Sequence, residues 1–169
     1  MIRLAILTIS DKSSRGERED RGAPAIRDAL SNAGLDYIET AYRVIADEEQ
    51  QIAEALFHLS QRDDVDLILT TGGTGLAPRD VTPQVTLNAI DFEVPGIAEA
   101  MRAASLRVTP AGMLSRAVAG VRHGTLIINL PGSPKAVAEN LAEIVAALPH
   151  AINTLRGEVG EHLRPQQTT

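Results

Sequence analysis

The chain has no cysteine and no tryptophan, and its only aromatic rings are two tyrosines and two phenylalanines, histidine aside. Without thiols there is no disulfide, no thiolate nucleophile and no zinc–thiolate site. So few rings leave no row of stacking platforms for single-stranded nucleic acid. Positive charge is also short: 16 Lys and Arg face 22 Asp and Glu, a formal net charge of -6 at pH 7. That balance argues against a general nucleic-acid-binding surface. Any anionic ligand must then be held by local donors, not by the field of the whole protein. No apolar run approaches the ~18 residues of a membrane span. Met1-Ile2-Arg3 passes directly into a strand pattern with no signal-peptide character. The expectation is a cytoplasmic protein with neither nucleic acid nor membrane as partner. The four histidines show no metal-ligand spacing, and no Gly-x-Ser-x-Gly elbow points to hydrolysis.

What is abundant is aliphatic. At 44% hydrophobic over 169 residues the chain can build one core from aliphatic side chains alone. The expected division is a domain over 1–157 and a C-terminal tail over 158–169. Ile2 to Ile9 is nearly all apolar and predicts a strand buried on both faces. Asp20 to Ala33 reads as a helix ended by Gly34, and Tyr37 to Val44 as a strand. Asp47 with Gln50 three residues on has the form of a capping box, opening a helix whose stripe is Ile52, Ala55, Leu56 and Leu59. Val65 to Leu69 predicts a strand, and Pro83 to Ala89 a short helix. Pro95 opens another helix, with Ile97, Met101 and Ser105 on one face and Glu99 paired with Arg102 on the other. Ala117 to Val121 and Thr125 to Leu130 read as strands. Ser133 and Pro134 suit the N-cap and first position of the next helix, and Pro149 to Leu155 reads as a last short one. Alternating strands and helices predict a three-layer α/β/α fold on a mainly parallel sheet.

One stretch stands apart. Thr70-Thr71-Gly72-Gly73-Thr74-Gly75 follows a strand and runs into Pro78-Arg79-Asp80-Val81-Thr82-Pro83 at the start of a helix. Glycines permit a tight turn with φ > 0, and the amides of such a turn make a concave anion site. Asp80 beside that cradle suggests a divalent cation, and Arg79 adds positive charge. The loop is neither a Gly-Lys-Ser/Thr phosphate loop nor a G-x-G-x-x-G fingerprint.

Ligands of open α/β folds gather at the carboxyl ends of the strands. Four features follow strand ends: Ser10-Asp11, Asp47, the glycine loop and Pro131-Gly132-Ser133. The glycine loop and the helix N-terminus at Ser133 can each hold phosphate, and Asp11, Asp47 and Asp80 can reach the same edge. Such a set suits phosphoryl or nucleotidyl transfer. Taken singly, Asp47 and Ser133 also read as helix caps and Asp11 as an Asx-turn residue.

Thr71-Gly72-Gly73-Thr74-Gly75, Arg79-Asp80-Val81-Thr82-Pro83, Pro95-Gly96, Leu114-Ser115-Arg116 and Asn129-Leu130-Pro131-Gly132-Ser133-Pro134 stand in the order found in the MogA/MoaB family of molybdenum-cofactor biosynthesis proteins. The chain resembles that family, and the G domains of plant Cnx proteins and gephyrin, from about Ile2 to about Gly157. The resemblance implies an α/β homotrimer that binds molybdopterin. In the adenylyltransferase branch it implies ATP and Mg²⁺ as well, adenylyl-molybdopterin and pyrophosphate as products, and a molybdenum-insertion protein as downstream partner. Asp80 and Asp47 match the family's two functional aspartates, with Ala46 in place of the usual proline. Ser115 matches a serine implicated in ligand binding, and the glycine loop matches the ligand loop. A MoaB-type protein that binds molybdopterin without adenylyl transfer is the alternative.

Overall fold

The computed structural model describes residues 1–158. Six strands form one sheet in the order β2-β1-β3-β6-β5-β4. They are β1 (Ile2–Ile9), β2 (Tyr37–Ile45), β3 (Leu67–Thr71), β4 (Phe92–Glu93), β5 (Ala119–Arg122) and β6 (Thr125–Leu130). The first four in spatial order are parallel, while β5 runs antiparallel to both neighbours. The antiparallel turn from β5 to β6 is made by His123 and Gly124, both at positive φ.

The alternation within β1 sets the layers. Leu4 and Ile6 point to one face, where they join α2 (Gly22–Asn32), α5 (Pro95–Val108), α6 (Pro134–Ile144) and α7 (Leu148–Leu155). Ala5, Leu7 and Ile9 point to the other, against α3 (Glu49–Ser60) and Val85 of α4 (Thr82–Ala89). Both faces of the central strands are therefore dry, as the nearly continuous apolar runs predict. Each fully buried Leu or Ile there contributes about 1.5–3 kcal/mol. The expected three-layer α/β/α sandwich on a mainly parallel sheet is the fold observed.

Three local expectations change. Ser10 to Gly16 is not all loop: Asp11–Ser14 make a single turn, α1, which Ser10 caps by accepting from Ser13 N. Asp47 does not cap α3. Glu48 holds the N-cap position without a side-chain bond, and Asp47 is turned away toward Asp11. Gln50 bonds forward to Glu54. Arg102 makes no pair with Glu99 but donates to the Ala117 carbonyl at 2.9 Å. Met101 is buried in the core, so the helix face it shares with Ile97 packs inward. Of the expected tail, residues 159–169 lie outside the described residues.

Candidate active site

The carboxyl ends of β1, β2, β3 and β6 open into a cleft of about 390 Å³. It lies where the chain order reverses between β1 and β3, the topological switch point of an open sheet. The two strand ends meet closely there. Gly72 has φ +104, and a Cβ on it would collide with the Ile9 carbonyl. Only glycine satisfies both conditions.

The glycine loop is held from behind. Gly72 N donates to the Leu130 carbonyl at 3.2 Å, and Thr71 Oγ1 to the Pro131 carbonyl at 2.8 Å. Arg116 grips the carbonyls of three further residues: its amide donates to Thr74 at 3.0 Å, its Nε to Gly75 at 2.7 Å, and its guanidinium also reaches Asp80. The amides of Gly73, Thr74 and Gly75, by contrast, donate to no partner among the described residues. Carbonyls held back and amides left open are the polarity of an anion cradle. Beneath it, Asn129 Nδ2 donates to Thr70 Oγ1 at 3.1 Å and Thr86 Oγ1 at 3.0 Å, while its Oδ1 accepts from Val118 N. The asparagine of the sixth strand thus ties the loop's strand to the helix that follows it. At the end of β6, Gly132 lines the cleft and Ser133 N-caps α6 without a side-chain bond, leaving that N-terminus open.

The carboxylates converge as expected. Asp47 and Asp11 exchange bonds: Asp11 N donates to Asp47 Oδ2 at 2.8 Å and Asp47 N to Asp11 Oδ1 at 3.1 Å. Asp47 Oδ1 accepts no hydrogen bond among the described residues. Asp80 Oδ2 accepts from Ala77 N at 2.9 Å, and its other oxygen accepts no hydrogen bond among the described residues. Burial, with the like charges of Asp11 and Asp80 added, pushes the Asp47 carboxyl above its usual range. Asp11 goes the other way, held down first by hydrogen bonds from Arg79. That arginine is spent. It donates Nε and Nη2 to Asp11 at 3.1 and 2.9 Å, and Nη2 again to Glu48 at 2.7 Å, which raises its own pKa. Arg79 therefore fastens the segment carrying Asp80 to α1 and to the start of α3.

Of the predicted site residues, Ser10, Thr71, Gly72, Gly73, Asp47, Asp80 and Gly132 line the cleft. Thr74, Gly75 and Pro131 support it through the bonds above. Asp11 and Arg79 act from its rim. Ser115 lies behind the loop, where its hydroxyl accepts from Ala117 N at 3.4 Å, and Ser133 sits beside the lining.

Two groups went unread in the sequence. Asp20 lines the cleft and caps α2 by accepting from Gly22 N, while its Oδ2 takes the hydroxyls of Thr8 and Tyr42 at 2.8 and 2.6 Å. Burial alone would raise the Asp20 carboxyl, but these donors outweigh it and lower it. Tyr42 is pushed up to about 12, by burial and then by this bond. An aspartate two residues before a helix start was the available signal; the tyrosine, 22 residues on in the next strand, gave none. Arg116 stood within the quoted Leu-Ser-Arg run, but nothing local said that it would reach back to residues 74–80.

The pattern of the family described as "probable molybdopterin binding domain" matches residues 5–150. The chain belongs to this family. Within it, the chain is 40% identical over 156 residues to a protein of Helicobacter pylori J99 named molybdopterin adenylyltransferase, covering 92% of this chain and 89% of that one. A protein of the same name from Escherichia coli K12 is 41% identical over 168 residues, covering 92% and 86%. The crystal structure of a Thermus thermophilus protein named molybdopterin biosynthesis enzyme MoaB superposes with TM-score 0.86 at 52% identity, over 93% of this chain and 98% of that one.

Proposed function

We propose that this protein is a Mg²⁺-dependent molybdopterin adenylyltransferase, transferring AMP from ATP to molybdopterin with release of pyrophosphate. One observation carries the reading. Asp47 and Asp80, each with a carboxylate oxygen not bonded within the described chain, share a cleft with Gly73, whose amide, like those of Thr74 and Gly75 next to it, donates to no partner among the described residues. The names of the curated relatives agree with it.

The reaction joins a phosphate oxygen of molybdopterin to the α-phosphorus of ATP. The bond from that phosphorus to the bridging oxygen breaks, and its electron pair leaves with pyrophosphate. The attacking phosphate is already ionised, so no residue need take a proton from it. The protein's task is to hold two anions together in line. The amides of Gly73, Thr74 and Gly75 and the open N-terminus of α6 suit the phosphates. Asp47 and Asp80 would hold Mg²⁺, which takes one or two carboxylates and completes its shell with water and substrate phosphate. Their unspent hard oxygens fit such an ion, although no group of three or more His, Cys, Asp or Glu is suited to a metal among the described residues. Bound there, the ion would offset charge on the phosphoryl oxygens.

A homotrimer working in the cytoplasm and passing its product to a molybdenum-insertion protein belongs to the same proposal. For assembly, the exposed Leu106, Val108, Met113 and Leu114 offer an apolar surface. No described helix is long and apolar enough to cross a membrane.

The test is pyrophosphate release by purified protein from ATP and Mg²⁺, with and without molybdopterin. Release that depends on both is expected. Molybdopterin binding without release would overturn the proposal in favour of a binding protein of the MoaB type.

A further inference from the structure

Thr82, the first residue of α4, is fully buried, and its Oγ1 makes no hydrogen bond among the described residues. A buried hydroxyl without a partner carries its full desolvation cost, and such groups are rare enough to need a reason. Threonine at a helix start ordinarily spends its oxygen on a cap. Here Val81 holds the N-cap position and Thr82 lies one residue inside it. Thr86, one turn on, is bonded to Asn129.

The hydroxyl points at the glycine loop. A Cβ on Gly73, which has φ +65, would collide with Thr82 Oγ1 and lie 3.2 Å from Asp47 Oδ1. The missing side chain of the glycine therefore leaves a gap bordered by an unspent donor and an unspent acceptor. The Oδ2 of that carboxylate is already fixed by Asp11 N. Its Oδ1 accepts no hydrogen bond among the described residues, and the buried Thr82 hydroxyl borders the same gap.

We propose that Thr82 is a positioning residue for Asp47: its hydroxyl donates to Asp47 Oδ1 across Gly73 when Mg²⁺–ATP fills the cleft, fixing the carboxylate for transfer. The unpartnered state costs stability that a loaded site recovers, a balance common at functional sites. This inference rests on the adenylyltransferase reading, and its test separates the two.

Thr82→Val keeps the shape and deletes the hydroxyl, while Thr82→Ser keeps the hydroxyl. For Thr82→Val we expect kcat for pyrophosphate release to fall about 10- to 100-fold, the range for groups that orient a metal ligand. Its KM for ATP should stay within about two-fold, and its melting temperature should equal or exceed that of the wild type. Thr82→Ser should keep kcat within a few-fold. A wild-type kcat in Thr82→Val would overturn the inference. So would an equal loss in both variants accompanied by lower melting temperatures, which would mark a packing role.

A second measurement needs no turnover. The ¹³C methyl resonance of Thr82 should shift when Mg²⁺–ATP is added to the wild type, and should not shift in Asp47→Ala. If the wild type releases no pyrophosphate, the adenylyltransferase reading fails by itself, and this response decides the inference: a shift that depends on Asp47 supports it. A resonance unmoved by Mg²⁺–ATP, or moved equally without Asp47, overturns it.

Discussion

Two aspartates at opposite ends of the sheet show what distinguishes a carboxylate used for structure from one kept for chemistry. Asp66 stands just before β3 at the amino end. Its oxygens accept from Arg3 N at 2.8 Å, Arg3 Nε at 2.9 Å and Arg3 Nη2 at 2.6 Å, and from the Arg156 guanidinium. Burial by itself would raise this carboxyl, but these bonds hold it well below the usual range. Asp47, beyond the carboxyl end of β2, has one oxygen bonded to a single amide, the other unbonded among the described residues, and two carboxylates for neighbours. Asp66 has spent its charge on tying the N-terminal strand to the last helix. The charge of Asp47 remains available, and the fold bears the strain of keeping it so. Full satisfaction rigidifies, and incomplete satisfaction marks a place where something binds.

The contrast breaks most visibly if activity does not follow it. Asp80→Asn and Asp47→Ala should each lower single-turnover formation of adenylyl-molybdopterin on the order of 10³-fold, the scale of losing one essential electrostatic contact, while Asp66→Asn leaves the folded enzyme at full rate. Near wild-type rates in the first two variants would remove the cleft from the chemistry.

Stability should rank them the other way. Asp66→Asn leaves two guanidinium groups without their counterion and should cost about 2–3 kcal/mol by denaturant unfolding, below the range for wholly buried pairs because both arginines keep contact with water. Asp47→Asn should melt at or above the wild type, because it removes a desolvated charge among like charges and caps nothing. An Asp47→Asn variant that melts well below the wild type would show that the carboxylate is structural after all.

Acid sharpens the comparison. A carboxyl whose folded pKa is depressed contributes stability that is complete above its unfolded value, about 3.9, and is lost as pH falls through the folded one. The stability gap between the wild type and Asp66→Asn should therefore be full at pH 6–7 and shrink progressively below about pH 4. Urea melts across that window would read it, and a gap constant down to pH 2 would rule out the ion-pair account.

The smallest effect concerns the rim. Arg79 is about half exposed, so its pairs with Asp11 and Glu48 are screened. Arg79→Ala should change stability by less than about 1 kcal/mol. Its cost should fall on kcat, by a few-fold, through looser placement of Asp11 and Asp80. A large rise in KM for ATP instead would return Arg79 to the role of phosphate ligand that the sequence suggested.

The layers of the fold were legible because dry strands need apolar residues on both faces, and β1 and β6 are nearly all apolar. Thr125 to Leu130 was read to the residue. The glycine loop was legible because few L-residues tolerate the backbone at Gly72 and Gly73, and the two aspartates because the motif order accompanies them. Side-chain choices between competing partners were not legible. Asp47 could have capped α3, but the first-turn amide of Asp11, brought alongside by the parallel pairing of β1 and β2, took it first. Arg102 preferred the Ala117 carbonyl, just before β5, to a solvated pair with Glu99. The Asp20–Tyr42–Thr8 cluster draws on three segments that only the sheet brings together.

Arg116 sits 36 residues beyond Asp80, yet its bonds decide which way the peptide planes of residues 74, 75 and 80 are turned. The glycine loop is thus not a portable cassette. Residues 70–83 transplanted onto another α/β sheet without a cation reaching in from the far side would close the same turn with its amides free to rotate away. An engineer wishing to move this anion cradle to a new scaffold would have to carry the arginine with it. Conversely, a relative that keeps the glycines but has lost its counterpart of Arg116 should keep the turn and lose the cradle.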